Sequence, residues 1–401
     1  MGVQLNNIFD SAIKNSLFRD KSVLQTNYTP ESIPHRDKQI EQVAGMMAPI
    51  LRGEKASNLF IYGKTGTGKT LSVQYVKDEL IKKASQLGVD IRIEYLNCKL
   101  KKVADTEYRI LAALIQQMGG EIAATGLPTD QVYNKFIQMI DAKKQIVVLV
   151  FDEIDQAIKK ISDSFLYSLI RLNAELSKSQ LSLVGISNDV TFLENIDPRV
   201  RSSLGEEELV FPPYNALQLQ DILNERGKLA FKENVIDEGV IAKCAAFAAR
   251  EHGDARRALD LLRIAGELSE REGSAKVDLR YIDMANEKIE RDKILDIVET
   301  EPKQFQLVLY AVVLLTKDKK LGELFTGDIY NVYQDICKKT KTEILTQRRI
   351  SDIIAEIDML GLINANVVSK GRHGRTREIR LSIPQQLTDK VESILIESLG
   401  L

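Results

Sequence analysis

Apolar residues recur along this 401-residue chain with two different periods, and the positions where the period changes divide it. Between residues 40 and 211, short β-rich runs alternate with longer stretches of helical spacing, the pattern of a parallel sheet covered by helices. The runs at 58–62 (NLFIY), 90–96, 145–151, 181–187 and 207–211 predict five strands. The stretch 70–86 repeats Leu71, Val73, Val76, Leu80, Ile81 and Ala84 on one helical face. Residues 146–151 (IVVLVF) are apolar without alternation, which predicts a strand buried on both faces. After Pro212-Pro213 the pattern turns wholly helical from 216 to 297, with no internal proline and with turns expected at Gly253 and Gly273.

A charged segment, 287–303, leads through Pro302 into a last unit. It reads as helices at 306–316, 327–339 and 346–360, then strands at 362–368 and 377–383. Three helices followed by a β-hairpin describe a winged helix. The expected domains are therefore an α/β core at 1–212, a helical lid at 213–300 and a winged-helix unit at 301–401.

Composition narrows the function classes. A charged fraction of 28% and a hydrophobic fraction of 44% are those of a soluble globular protein. Net charge is only -2, so any surface for nucleic acid is a local patch. Cys98, Cys244 and Cys337 are odd in number and far apart, which argues against a disulfide framework or a zinc cluster and for a reducing, cytoplasmic setting. His35, His252 and His373 do not cluster either, so no metal is expected beyond one brought by a nucleotide. The start, MGVQLNNIFD, lacks a signal pattern, and no apolar run approaches the ~20 residues that span a bilayer. No membrane partner is expected.

The most specific motif is Gly63-Lys64-Thr65-Gly66-Thr67-Gly68-Lys69-Thr70, which fits G-x-x-x-x-G-K-[ST] between a strand and a helix. Its glycines allow backbone N–H groups to turn inward around a phosphate at the positive end of the helix dipole. Lys69 is placed to reach the β- and γ-phosphates, and Thr70 to ligate Mg²⁺. The strand at 145–151 ends in Asp152-Glu153, where Asp152 suits the Mg²⁺ shell and Glu153 suits polarising a water; Asp155 is read as the cap of the next helix. Asn188 ends the following strand, where an amide can hold that water. Two arginine clusters follow, one with Arg199 and Arg201 and one at Gly253-Asp254-Ala255-Arg256, and arginines near a triphosphate stabilise its developing charge.

In the last unit, Gln347, Arg348 and Ser351 or Asp352 fall opposite Ile350, Ile353, Ile354 and Ile357 on the third helix. That polar face suits a major groove. The hairpin tip carries Lys370, Arg372, Arg375 and Arg377, with Arg380 beyond, and Gly371 and Gly374 permit close approach to a phosphate backbone.

Phosphate loop, Asp-Glu strand end, Asn188, arginine cluster, helical lid and Gly-Asp-Ala-Arg motif, in this order, resemble an AAA+ ATPase. The carboxy-terminal winged helix with SKGRHGRTR makes the chain similar to archaeal initiators of DNA replication, relatives of the largest eukaryotic origin-recognition subunit and its helicase-loading paralogue. The resemblance implies ATP or ADP with Mg²⁺ as cofactors and places Asn188 and Arg256 at the two sensor positions. It puts Pro34 and Arg36 beside adenine and ribose, makes Tyr214 and Arg226 lid contacts to nucleotide, and leaves either Arg199 or Arg201 as the finger. It also implies a DNA-touching helical insertion between residues 97 and 145. The implied function is a slow ATPase acting as a switch, with double-stranded origin DNA, initiator paralogues and the replicative helicase as partners and association with the nucleoid. The alternative of the same fold is an ATP-dependent transcriptional regulator.

Overall fold

The structure, a computed structural model, describes residues 16–26, 28–99, 106–123, 126–204, 206–317, 324–369 and 375–401. It divides into two compact units, residues 1–282 and 283–401. In the first, α1 (Asp37–Met47) precedes β1 (Asn58–Tyr62), α2 (Lys69–Leu87) and β2 (Ile91–Asn97). Then come α3 (Glu107–Gln117), α4 (Thr129–Ile140), β3 (Ile146–Asp152), α5 (Ile154–Ile161) and α6 (Ser164–Arg171). The sheet is completed by β4 (Gln180–Ser187), α7 (Pro198–Leu204) and β5 (Glu206–Val210).

All five strands pair in parallel, in the order β2-β3-β4-β1-β5. Every residue of β1 and β3 is buried, because helices cover both faces of the sheet. Leu59, Ile61, Val148 and Val150 pack with Val73 and Val76 of α2, whereas Phe60, Val147, Leu149 and Phe151 pack with Ile110, Leu114 and Phe136 of α3 and α4. The helical excess between the second and third strands is thus a helix pair whose apolar faces close one side of the sheet. Register decides what emerges at the carboxyl edge. Tyr62 pairs with Ser187 and Asp152 with Ile186, so the segments following β1, β3 and β4 leave the sheet side by side.

The lid comprises α8 (Ala216–Ala230), α9 (Val240–Arg250) and α10 (Ala255–Arg271), with α11 (Leu279–Thr300) following. The segment 16–24, expected with the core, packs on the lid instead. Its backbone pairs with the end of α8 (Arg19 N to Ala230 O, 2.8 Å; Lys232 N to Leu17 O, 3.0 Å), and the Phe18 ring lies 4.5 Å from that of Phe231. Four buried apolar side chains, Leu17, Phe18, Val23 and Leu24, belong to this segment. Gly266 of α10 makes the approach possible, since a Cβ at that position would stand 2.5 Å from the Phe18 ring.

The second unit contains α12 (Lys303–Lys317), β6 (Leu324–Phe325), α13 (Thr326–Lys339) and α14 (Gln347–Met359). The hairpin of β7 (Ile363–Ser369) and β8 (Arg375–Leu381) follows, and α15 (Gln385–Leu399) ends it. The sheet is antiparallel in the order β6-β8-β7. Its core is built on α12, buried from Phe305 to Val313, and receives Ile350, Ile353, Ile354 and Ile357 of α14. Two elements go beyond the sequence expectation, the two-residue β6 and the helix α15. Among the described residues no helix is long and apolar enough to cross a membrane.

Candidate functional site

A cavity of about 390 Å³ opens at the carboxyl edge of the parallel sheet. Its lining includes Thr65 to Thr70 of the loop after β1, Asp152 and Glu153 after β3, Asn188 after β4, and Arg226 and Arg256 of the lid. A second hollow, of about 530 Å³, lies on the lid between α8 and α9, but its lining includes no residue of the phosphate loop and none of Asp152, Glu153, Asn188 and Arg256. The chemistry is in the cavity at the sheet edge.

Loop conformation follows from its glycines. Gly66 (φ 71°) and Gly68 (φ 88°) hold the left-handed backbone that other residues adopt at a cost, and Gly68 is the N-cap of α2. The first N–H groups of α2 have no acceptor within that helix, and they face the cavity end of the dipole. Lys69 is 5% exposed, and its ammonium donates to Gly63 O (2.7 Å), Lys64 O (2.8 Å) and Asn188 Oδ1 (2.9 Å). Burial pushes its pKa down to about 8, against the pull of Asp152. Thr70 Oγ1 donates to Asp152 Oδ2 at 2.9 Å.

The carboxylates are held differently. Asp152 is buried, with Oδ1 accepting from Glu153 N–H (3.0 Å) and Oδ2 also accepting from the Tyr95 hydroxyl of β2 (2.5 Å). Glu153 sits at φ 55°, a left-handed backbone for a residue with a side chain, and burial raises its pKa above the usual carboxylate value. Asp155 is not the cap expected of it. Glu153 holds the N-cap position of α5, and Asp155 is buried in the first turn, accepting from Ser187 Oγ at 3.1 Å.

Arg36, expected beside adenine and ribose, is not among the residues that line the cavity. It is 1% exposed and lies behind the loop, where Nε donates to Thr67 O (2.7 Å) and Nη2 to Pro212 O (2.6 Å), with the guanidinium 3.8 Å from the Tyr214 ring centre. Pro34 does line the cavity, as does Tyr214. Arg226 is buried, stacks over Tyr28 at 4.1 Å, and its Nε has no hydrogen-bond acceptor among the described residues. From the other side the lid touches the loop directly: Ala255 N donates to Gly66 O at 3.2 Å, and Asp254, which caps α10, occupies the space a Cβ on Gly66 would need. Arg199 and Arg201 are outside the cavity and pair with Asp197 (2.9 Å) and Glu208 (3.6 Å).

In the second unit Gln347 and Arg348 are exposed at the start of α14, which Thr346 caps, while Arg349 pairs with Asp352 and Glu356 at 3.8 Å. Arg377 Nη1 donates to Ser351 O at 2.8 Å and so ties the wing strand to α14. Lys370 and Arg372 lie outside the described residues, and only the backbone of Arg375 is described, paired with Ser369.

Three family models match in chain order: an AAA domain over residues 52–190, a Cdc6 AAA+ ATPase-type lid domain over 220–287 and a CDC6 C-terminal winged helix domain over 296–391. The chain is 51% identical over 384 residues to an ORC1-type DNA replication protein of Thermococcus onnurineus, covering 94% of this chain and 92% of that one. It is 49% identical over 389 residues to ORC1-type DNA replication protein 1 of Methanosarcina acetivorans, covering 96% and 93%. Among solved structures, that of the Aeropyrum pernix ORC1 protein in complex with DNA superposes with a TM-score of 0.83 at 43% identity, covering 95% of this chain and 97% of that one.

The chain belongs to the ORC1-type DNA replication proteins. As a member of that family it carries an AAA+ ATPase-type domain, whose fold is one that binds nucleotide. The residues present fit a magnesium nucleotide: a glycine loop at a helix N-terminus, a buried lysine, a threonine hydroxyl against a buried carboxylate, and an arginine with an unmatched Nε. One cavity residue of this ORC1-type chain, Tyr95, becomes visible only once β2 is known to lie beside β3, and the contact of Asp254 with Gly66 likewise depends on the lid's approach to the loop.

Proposed function

We propose that this chain is an ATP-dependent initiator of DNA replication, in which the nucleotide held by the AAA+ core sets the state in which the protein grips origin duplex DNA. The carrying observation is that loop, metal-facing carboxylate and sensor amide form one bonded network, with Lys69 joined to Asn188 and Thr70 joined to Asp152. A change at the phosphate end of the cavity is thereby felt at three strand ends and, through Gly66 and Ala255, at the lid.

Lys69 and the loop N–H groups would bind the phosphates, and Thr70 and Asp152 would hold Mg²⁺. When bound, the magnesium nucleotide supplies the phosphoanhydride that is hydrolysed. Glu153, its proton affinity raised by burial, takes a proton from the attacking water, which Asn188 orients. Arg226 and Tyr28 wall the nucleoside end, and Arg256 approaches from the lid. Arg199 and Arg201 stand outside the cavity, which suits a finger acting on the site of a neighbouring initiator copy. With that finger supplied in trans, slow turnover and a switch-like role follow.

DNA comes to this chain by its similarity to the Aeropyrum pernix protein solved in complex with DNA, and by its own α14 and wing. Gln347 and Arg348 would enter a major groove, with the wing arginines on phosphates. Initiator paralogues and the replicative helicase are the partners this role implies. Genome-wide footprinting of wild type and Arg348→Ala tests it. Protection at replication origins that weakens in the variant supports an initiator, whereas protection confined to promoters supports a transcriptional regulator.

A further inference from the structure

Asp152 has its two oxygens held by different elements. Oδ1 accepts from its neighbour's backbone, Glu153 N–H, at 3.0 Å, and Oδ2 accepts from Thr70 Oγ1 at 2.9 Å and from Tyr95 Oη at 2.5 Å. Tyr95 comes from β2, where it pairs with Val150 while Asn97 pairs with Asp152. Paired residues in a parallel sheet point to the same face, so Tyr95 shares a face with Asp152 and lies two residues short of it. The length of the phenol spans that offset. The Tyr95 ring lines the cavity, and Gln117 Nε2 of α3 fixes its strand by donating to Tyr95 O at 3.1 Å.

We propose that Tyr95 is a positioning residue for Asp152: its hydroxyl sets the rotation of the carboxylate toward Thr70 and so sets the magnesium requirement of nucleotide binding. This rests on the nucleotide site proposed above. A hydroxyl is the part that matters, because the phenol donates to the oxygen that Thr70 also addresses, and without it that oxygen is held from one direction instead of two. Donors behind a metal-binding carboxylate are commonly worth ~10–100-fold in metal affinity.

The test is binding of a fluorescent ATP analogue as a function of Mg²⁺, in the full chain, for wild type and Tyr95→Phe. The Mg²⁺ midpoint is expected to rise ~10-fold in Tyr95→Phe, while analogue affinity in EDTA and the melting temperature stay at wild-type values. In an Asp152→Asn background the same substitution is expected to shift the midpoint no further, which separates action through Asp152 from a general disturbance of the fold. An unchanged midpoint, or an equal loss of affinity with and without Mg²⁺, would overturn the role of Tyr95 and leave the nucleotide site standing. A wild type whose binding ignores Mg²⁺ would overturn both.

Discussion

Lys69 carries the clearest pH signature in the molecule. Burial depresses its pKa to about 8, so the nucleotide-free fold is penalised below that value, where the ammonium is buried charged, and the penalty is relieved as pH rises toward the unfolded-state value. Phosphate needs the charged form. Nucleotide affinity is therefore expected to be flat below pH 8 and to fall toward ~10-fold per pH unit above it, measured by analogue titration from pH 7 to 9.5. An affinity constant across that range would mean that the ammonium does not face phosphate. Glu153 gives a complementary expectation. Glu153→Gln keeps the size and the φ 55° backbone but removes the base, so single-turnover hydrolysis is expected to fall ~100-fold or more with binding unchanged. Lys69, Asp152 and Asn188 could be singled out in the sequence because each lies at a strand end or in a spaced motif. Tyr95 could not, since its value depends on which strand lies beside β3. The surroundings of Arg36 were not legible either, since its position in the chain says nothing of its burial and its bond to Thr67 O.

Strands of the core were legible to within a residue or two, because a parallel sheet buried on both faces leaves unbroken apolar runs. The hairpin and the four isoleucines of α14 were legible from their alternation and helical spacing. Elements without period were not. β6 has two residues, too few for any pattern. α15 did leave a signal, Leu387, Val391, Leu395 and Leu399 at four-residue steps after Pro384, and a hairpin-terminated plan passed over it. The segment 16–24 is the most consequential difference, since its pairing with Ala230 and Lys232 is visible only in three dimensions. Gly266→Ala, which forces a methyl against the Phe18 and Phe231 rings, is expected to cost about 1–3 kcal/mol and to expose residues 16–24 to protease. Thermal melting with limited proteolysis checks both, and a wild-type cleavage pattern would show that the segment holds the lid by other contacts.

A net charge of -2 over 401 residues means that DNA is held by placed cations rather than by overall attraction. Salt dependence counts them. Each phosphate contact contributes a slope of about -0.9 in log affinity against log salt, and Arg372→Ala in the wing is expected to reduce the slope by about one such contact, whereas Arg348→Ala is expected chiefly to relax sequence preference. An Arg348→Ala variant with a reduced slope and unchanged sequence preference would place Arg348 on a phosphate instead. The broad plan of sheet, helical lid and winged helix was carried by the order of motifs along the chain. Its coupling was not, for the bonds from Lys69 to Asn188 and from Ala255 to Gly66 join segments far apart in sequence. In the function proposed above, the phosphate loop governs how DNA is held. Footprints on origin duplex with ATP and with ADP, for wild type and Lys69→Ala, test it most directly. Wild type is expected to protect different lengths with the two nucleotides, and Lys69→Ala to give one footprint with both. A nucleotide-independent footprint in wild type, or a wild-type response in Lys69→Ala, would contradict it.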